Sequence, residues 1–124
     1  MTTIETGTND LLAENINGVG VITLNRPDAR NAMSGKMNAA LSHTLAAWEL
    51  DPAIKCIILT GAGKGFCAGG DVKGMAASGD GTVGDNTIDG AIHAQRVTQR
   101  ATAGKLFKMP KPTIAALPGA AAGA

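Results

Sequence analysis

From Ile54 to Thr60 the chain reads IKCIILT, a largely β-branched run of strand length bounded by Pro52 and Gly61. Glycine then recurs up to Gly84, so regular structure beyond the strand is expected to be short, and ASGDGTVGDN (77–86) reads as a mobile loop. Any fold for this chain has to end a buried strand in a glycine-rich segment, GAGKGFCAGGDVKGM (61–75).

The flanking sequence supplies the rest of an α/β order. LLAENINGVGVITLN (11–25) has apolar residues on both sides of Asn17-Gly18, the strongest short-range hairpin signal. Its second arm, Val19 to Leu24, is apolar at nearly every position and is expected to be buried on both faces. Ser34 is a suitable N-cap for a helix running to Leu50, where Asp51-Pro52 stops it. Met37, Leu41, Leu45 and Trp48 form one apolar stripe on that helix. A second helix is predicted over Thr87–Met109, weakened by Gly104 and ended by Pro110 and Pro112. Thr113 to Leu117 is a short strand, and Pro118-Gly119 turns the chain toward another helix start. Strand, helix, strand, glycine loop, helix, strand is an α/β arrangement.

With 124 residues the chain can form one domain. Residues 1–10 are polar and read as a flexible N-terminus, leaving 11–124 as the domain. Eleven basic and ten acidic residues give a net charge of +1 with no basic run, so no nucleic-acid or membrane-surface footprint is visible. No segment approaches the roughly 20 apolar residues needed to span a bilayer, and the N-terminus lacks targeting features, which points to the cytoplasm. Cys56 and Cys67 lack metal-ligand spacing and read as free thiols. No metal is expected. The apolar C-terminal AALPGAAAGA gives the expectation of a fragment.

Three chemistries could use the glycine loop. A dinucleotide fingerprint fails because Phe66 stands where its third glycine is required, and a Walker loop fails because Gly63-Lys64 is followed by Gly65. A nucleophile elbow fits Gly65-Phe66-Cys67-Ala68-Gly69, but the cysteine lies well past the strand end and His93 is the only downstream histidine. The third reading uses the backbone. Ala68-Gly69-Gly70 can turn sharply and present unpaired N–H groups, with Asp71 capping a short helix whose dipole adds positive potential. Such a site stabilises an oxyanion. TIAALPGAAAGA (113–124) is a second strand-to-turn segment that could supply another donor.

NRPDARNAM (25–33), IILTGAGKGFCAGGDVKGM (57–75) and KPTIAALPGAAAGA (111–124), in this order and spacing, resemble the enoyl-CoA hydratase/isomerase family, the crotonase superfamily. The resemblance spans nearly the whole chain from Leu11. It implies an α/β fold of repeated ββα units, incomplete at the C-terminus, and a site for acyl-CoA thioesters of fatty acid metabolism. It places the oxyanion donors on the backbone N–H groups of Ala68 and Ala124. It puts substrate binding at Ala29, Arg30 and Ala32 and at Gly69, Gly70, Asp71 and Val72, with Met75 and residues 76–86 bordering the acyl pocket. Coenzyme A enters as part of the substrate and no separate cofactor is implied; a homotrimer or hexamer is.

Two departures from the family pattern stand out. Pro118 occupies a position where many members carry Asn, and none of the ten acidic residues matches the family's acid/base carboxylates. The resemblance therefore implies a hydratase or isomerase when complete and an inactive chain alone. The alternatives are a truncated, non-catalytic fragment and a cysteine hydrolase using Cys67.

Overall fold

The computed structural model describes residues 1–71 and 87–123. Val72, Met75, the 76–86 loop and Ala124, all expected at or near the site, lie outside the described residues, as does the short helix expected after Asp71.

A five-stranded sheet organises the chain, in the order β1 (Thr2–Ile4), β2 (Leu11–Ile16), β3 (Val19–Leu24), β4 (Cys56–Gly61) and β5 (Thr113–Ala116). β2 and β3 pair antiparallel in the register Leu11↔Leu24 to Ile16↔Val19. Asn17 and Gly18 join them with φ of 53° and 92°, two consecutive left-handed residues as a tight primed turn requires. The Asn15 side chain accepts from the Gly18 N–H at 2.9 Å and closes the turn. Residues 1–10, read from sequence as a flexible N-terminus, include β1, which pairs antiparallel with β2 from Thr2↔Asn15 to Ile4↔Ala13. An unpaired β2 edge presents a row of N–H and C=O groups, and Thr2–Ile4 satisfies them.

β3, β4 and β5 run parallel. Parallel neighbours need a crossover, and α1 (Gly35–Leu50) supplies the first. Ser34 caps it, its Oγ accepting from the Met37 N–H at 3.0 Å and donating to Asp10 Oδ2 at 2.6 Å. Met37, Leu41, Leu45 and Trp48 are all buried and pack on Leu11, Ala13, Ile22, Leu24, Ile54 and Ile57 of the sheet side. At the other end, Lys111 Nζ donates to the carbonyls of Trp48 and Asp51, satisfying acceptors that the last helical turn leaves open.

Three further expectations differ from the structure. β3 is buried on one face, at Gly20, Ile22 and Leu24, while Val19, Val21 and Thr23 are half-buried. α1 packs on the first face, where the Trp48 ring lies against Gly20. β4 begins at Cys56: the N–H of buried Ile54 turns back to Asp51 O, and that of exposed Lys55 donates to Gly18 O in the β2–β3 turn. The predicted helix over 87–109 is two helices, α2 (Ile88–Ala101) and α3 (Ala103–Lys108). They break at Thr102 (φ −115°, ψ −91°), whose Oγ1 donates to Thr98 O at 2.8 Å; Gly104, a weak helix former, lies just beyond.

Among the described residues, no helix is long and apolar enough to cross a membrane, and no group of three His, Cys, Asp or Glu side chains could hold a metal ion.

Candidate functional site

β4 and β5 are parallel neighbours, so the segments that leave their C-terminal ends emerge side by side. Each is rich in glycine, and they pair. The Phe66 and Cys67 N–H groups both donate to Ala120 O, at 3.0 and 3.3 Å, and the Ala122 N–H donates to Cys67 O at 3.0 Å. A Cβ on Gly119 would lie 2.1 Å from Lys64 O, and one on Gly123 would lie 2.8 Å from Gly69 Cα. Main chain meets main chain here, at separations that only glycine permits. The convergence of the two turns, left open by the sequence, is thus present as far as Gly123.

A third segment closes the other flank. Pro27–Ala29 forms one turn of 3-10 helix after β3, followed by Arg30 and Asn31, both left-handed at φ 53° and 56°. The Ala68 N–H donates to Arg30 O at 3.0 Å, and the Met33 N–H donates to Gly69 O at 2.8 Å, within a parallel bridge between Met33 and Gly70.

These bonds decide which amides are available. Ala68, expected to present an unpaired N–H, has that group on Arg30 O, because the 26–33 loop docks against it. The Gly69 N–H points at Cys67 Sγ, 3.3 Å away. Among the described residues no hydrogen bond takes the Gly70 N–H. Cys67 faces the 120–122 segment, Ala68 faces Arg30, and Gly69 at φ 99° reverses the alternation so that its carbonyl faces Met33. In a parallel bridge the bonds on either side of Gly70 run to Met33, so the Gly70 N–H itself is directed away from Met33, to the side of the second turn. The sequence reading counted Gly70 among the residues of a turn that could present N–H groups and gave the first donor to Ala68; which amide stays free depends on the docking of the 26–33 loop, which has no local signal.

The remaining expected residues fall as follows. Ala29 and Ala32 are half-buried, and Ala32 O accepts from Arg26 Nη1 at 2.7 Å. Arg30 is exposed, and no described hydrogen bond or ion pair engages its guanidinium. Asp71 Oδ2 lies 3.2 Å from Arg26 Nη1, and Arg26 Nε lies 3.8 Å from Asp10 Oδ2. Arg26 was not singled out by the sequence reading. Cys67 is buried with its sulfur toward the Gly69 N–H, six residues past the end of β4, and no hydrogen bond joins it to a histidine among the described residues. His93, on α2, is exposed. Neither observation favours a nucleophile elbow. A hollow of about 620 Å³ lies elsewhere, between residues 6–10 and the Lys36, Ala39, Ala40 and His43 side of α1. It does not include the converging turns.

A mixed α/β sheet whose parallel neighbours β4 and β5 empty into paired glycine turns defines a backbone-lined site. Comparison with known proteins gives the class. The enoyl-CoA hydratase/isomerase family profile matches residues 19–124, and the chain belongs to that family. It is 39% identical over 107 residues to 1,2-epoxyphenylacetyl-CoA isomerase of Escherichia coli, covering 86% of this chain and 39% of the relative. It is 37% identical over 127 residues to enoyl-CoA hydratase EchA19 of Mycobacterium tuberculosis, covering 98% and 43%. The fold superposes on an enoyl-CoA hydratase/isomerase from Xanthobacter autotrophicus with a TM-score of 0.74 at 33% identity, over 87% of this chain and 38% of the other. The fold is crotonase-like, and the chain spans about 40% of the length of the relatives it matches.

Proposed function

We propose that this chain binds acyl-CoA thioesters and polarises their carbonyl oxygen through the backbone, with Gly70 as the first oxyanion donor. The observation that carries this reading is the unpaired Gly70 N–H facing the second glycine turn. The second donor is the N–H of Ala124, which follows Gly123 where that turn meets Gly69; Ala124 lies outside the described residues.

The chemistry follows from where charge develops. Removing a proton α to a thioester, or adding water to an α,β-unsaturated one, places negative charge on the thioester oxygen. Fixed N–H donors stabilise that charge without reorganising, and each is worth on the order of 3 kcal/mol in sites of this kind. Glycine and alanine at the two turns let the carbonyl approach the main chain closely. On this reading the exposed Arg30 guanidinium meets a CoA phosphate, and Ala29, Ala32 and Asp71 line the path of the pantetheine; Val72, which the family resemblance assigns to the same path, lies outside the described residues. Cys67 has no step in this scheme.

Among the described residues no carboxylate is assigned to proton transfer. Asp71, the acidic group nearest Gly70 in sequence, is ion-paired with Arg26. The chain by itself is therefore a binding and polarising half-site, whose turnover as a hydratase or isomerase requires acid/base groups from elsewhere. Isothermal titration of the 124-residue chain with a short enoyl-CoA and with free CoA tests this. The enoyl thioester is expected to bind more tightly than free CoA, with no loss of enoyl absorbance over hours. Equal affinity for the two would remove the basis for an oxyanion site.

A further inference from the structure

Asn31 touches the exits of two parallel strands at once. Its Oδ1 accepts from the Arg26 N–H at 2.8 Å, just past β3. Its Nδ2 donates to Ala62 O at 2.9 Å and to Gly65 O at 3.1 Å, just past β4. The side chain is buried, only 1% exposed, and the residue's own N–H is held by Arg26 O at 2.8 Å. Three bonds to three main-chain groups leave little freedom in a buried amide, and aspartate could reproduce only the acceptor.

The neighbours of Asn31 continue the same docking. Arg30 O accepts from the Ala68 N–H, the Met33 N–H donates to Gly69 O, and Arg26 Nη1 reaches Asp71. Residues 26–33 therefore grip the glycine segment at 62, 65, 68, 69 and 71, and within 66–70 the amide that no described hydrogen bond takes is that of Gly70. Gly61 fits the same junction, since a Cβ there would lie 2.5 Å from Phe66 O and 2.9 Å from Asn31 Nδ2.

We propose that Asn31 is a positioning residue: its amide sets the register of the 26–33 loop against the glycine turn, and that register aims the Gly70 N–H at the substrate carbonyl. The proposal rests on the reading of Gly70 as an oxyanion donor. A merely structural Asn31 would weaken every ligand and the whole fold together. A positioning Asn31 acts on the acyl thioester, through Gly70, more than on the CoA body.

Two variants separate these. Asn31→Asp keeps the acceptor and turns a carboxylate oxygen toward two carbonyls. Asn31→Gly keeps the left-handed backbone without strain and removes the clamp. Amide spectra of the 15N-labelled chain are recorded with free CoA and with a short enoyl-CoA. In the wild type the Gly70 amide is expected to shift with the enoyl-CoA and not with CoA. In both variants that shift is lost and enoyl-CoA affinity falls about tenfold or more, the loss of one or two well-made hydrogen bonds, while CoA affinity changes less than about threefold. Equal losses for the two ligands, an intact Gly70 shift, or collapse of the Ile22 and Leu45 signals in both variants would overturn the proposal.

Failure of the underlying reading looks different: the wild-type Gly70 amide would ignore the enoyl-CoA. The register claim is then still decided by hydrogen exchange without ligand. It predicts exchange at Ala68 and Met33 faster by about tenfold in both variants with Leu45 unchanged, and unchanged rates at all three would contradict it.

Discussion

Gly123 presses its backbone on Gly69: a Cβ added to Gly123 would stand 2.8 Å from Gly69 Cα. Gly123 also has φ 79°, as Gly7 has φ 82°, but a Cβ on Gly7 would meet nothing within 4 Å. The pair separates backbone strain from contact between the turns.

Gly7→Ala is expected to cost about 1–2 kcal/mol, the left-handed penalty alone, and to leave acyl-CoA affinity unchanged. Gly123→Ala adds the collision with Gly69, so its loss of stability in urea titration should be larger and enoyl-CoA affinity should fall. Equal effects of the two substitutions on both readouts would show that the turns do not press on each other.

Gly20 lies under the indole of Trp48, where a Cβ would come within 2.5 Å of the ring, whereas a Cβ on Gly35 meets nothing within 4 Å. Gly20→Ala should destabilise by about 1–3 kcal/mol through overpacking, with a change in Trp48 fluorescence. Gly35→Ala, in the first turn of α1, should stabilise by up to about 1 kcal/mol. Thermal or urea unfolding of the two variants checks the opposite signs.

Arg30 holds a left-handed φ of 53° without glycine's freedom or a described partner for its guanidinium. Arg30→Gly relieves about 1–2 kcal/mol of strain against roughly 0.5–1 kcal/mol of added unfolded-state entropy, so stability should hold or rise slightly. Affinity for CoA should fall, and its dependence on salt should flatten as one phosphate contact disappears. Lower stability with unchanged CoA affinity would mean that the arginine serves the fold and not the ligand.

Much of the fold was legible because its signals are local. Asn17-Gly18 needs only its own backbone to turn, Ser34 bonds three residues ahead, and the stripe from Met37 to Trp48 follows helical spacing. The glycine segment also announced backbone chemistry, since pattern and composition sit in one stretch. What stayed illegible depends on docking between distant segments. Ala68 loses its free amide to Arg30, Asn31 reaches carbonyls at 62 and 65, and Arg26 pairs with Asp71. Each of these partners is more than 30 residues away in sequence, and no spacing rule relates them. The break at Thr102 is local but subtle: threonine is tolerated in helices, and its hydroxyl bond to Thr98 O becomes visible only in three dimensions.

The central claim is that Gly70, and not Ala68, offers its N–H to the thioester oxygen. Titration of the 15N-labelled chain with a short enoyl-CoA, with free CoA as the reference, tests it most directly. The account predicts a downfield shift of the Gly70 amide specific to the thioester, with Ala68 still protected from exchange by Arg30. A thioester-specific shift at Ala68 with Gly70 unmoved would contradict it.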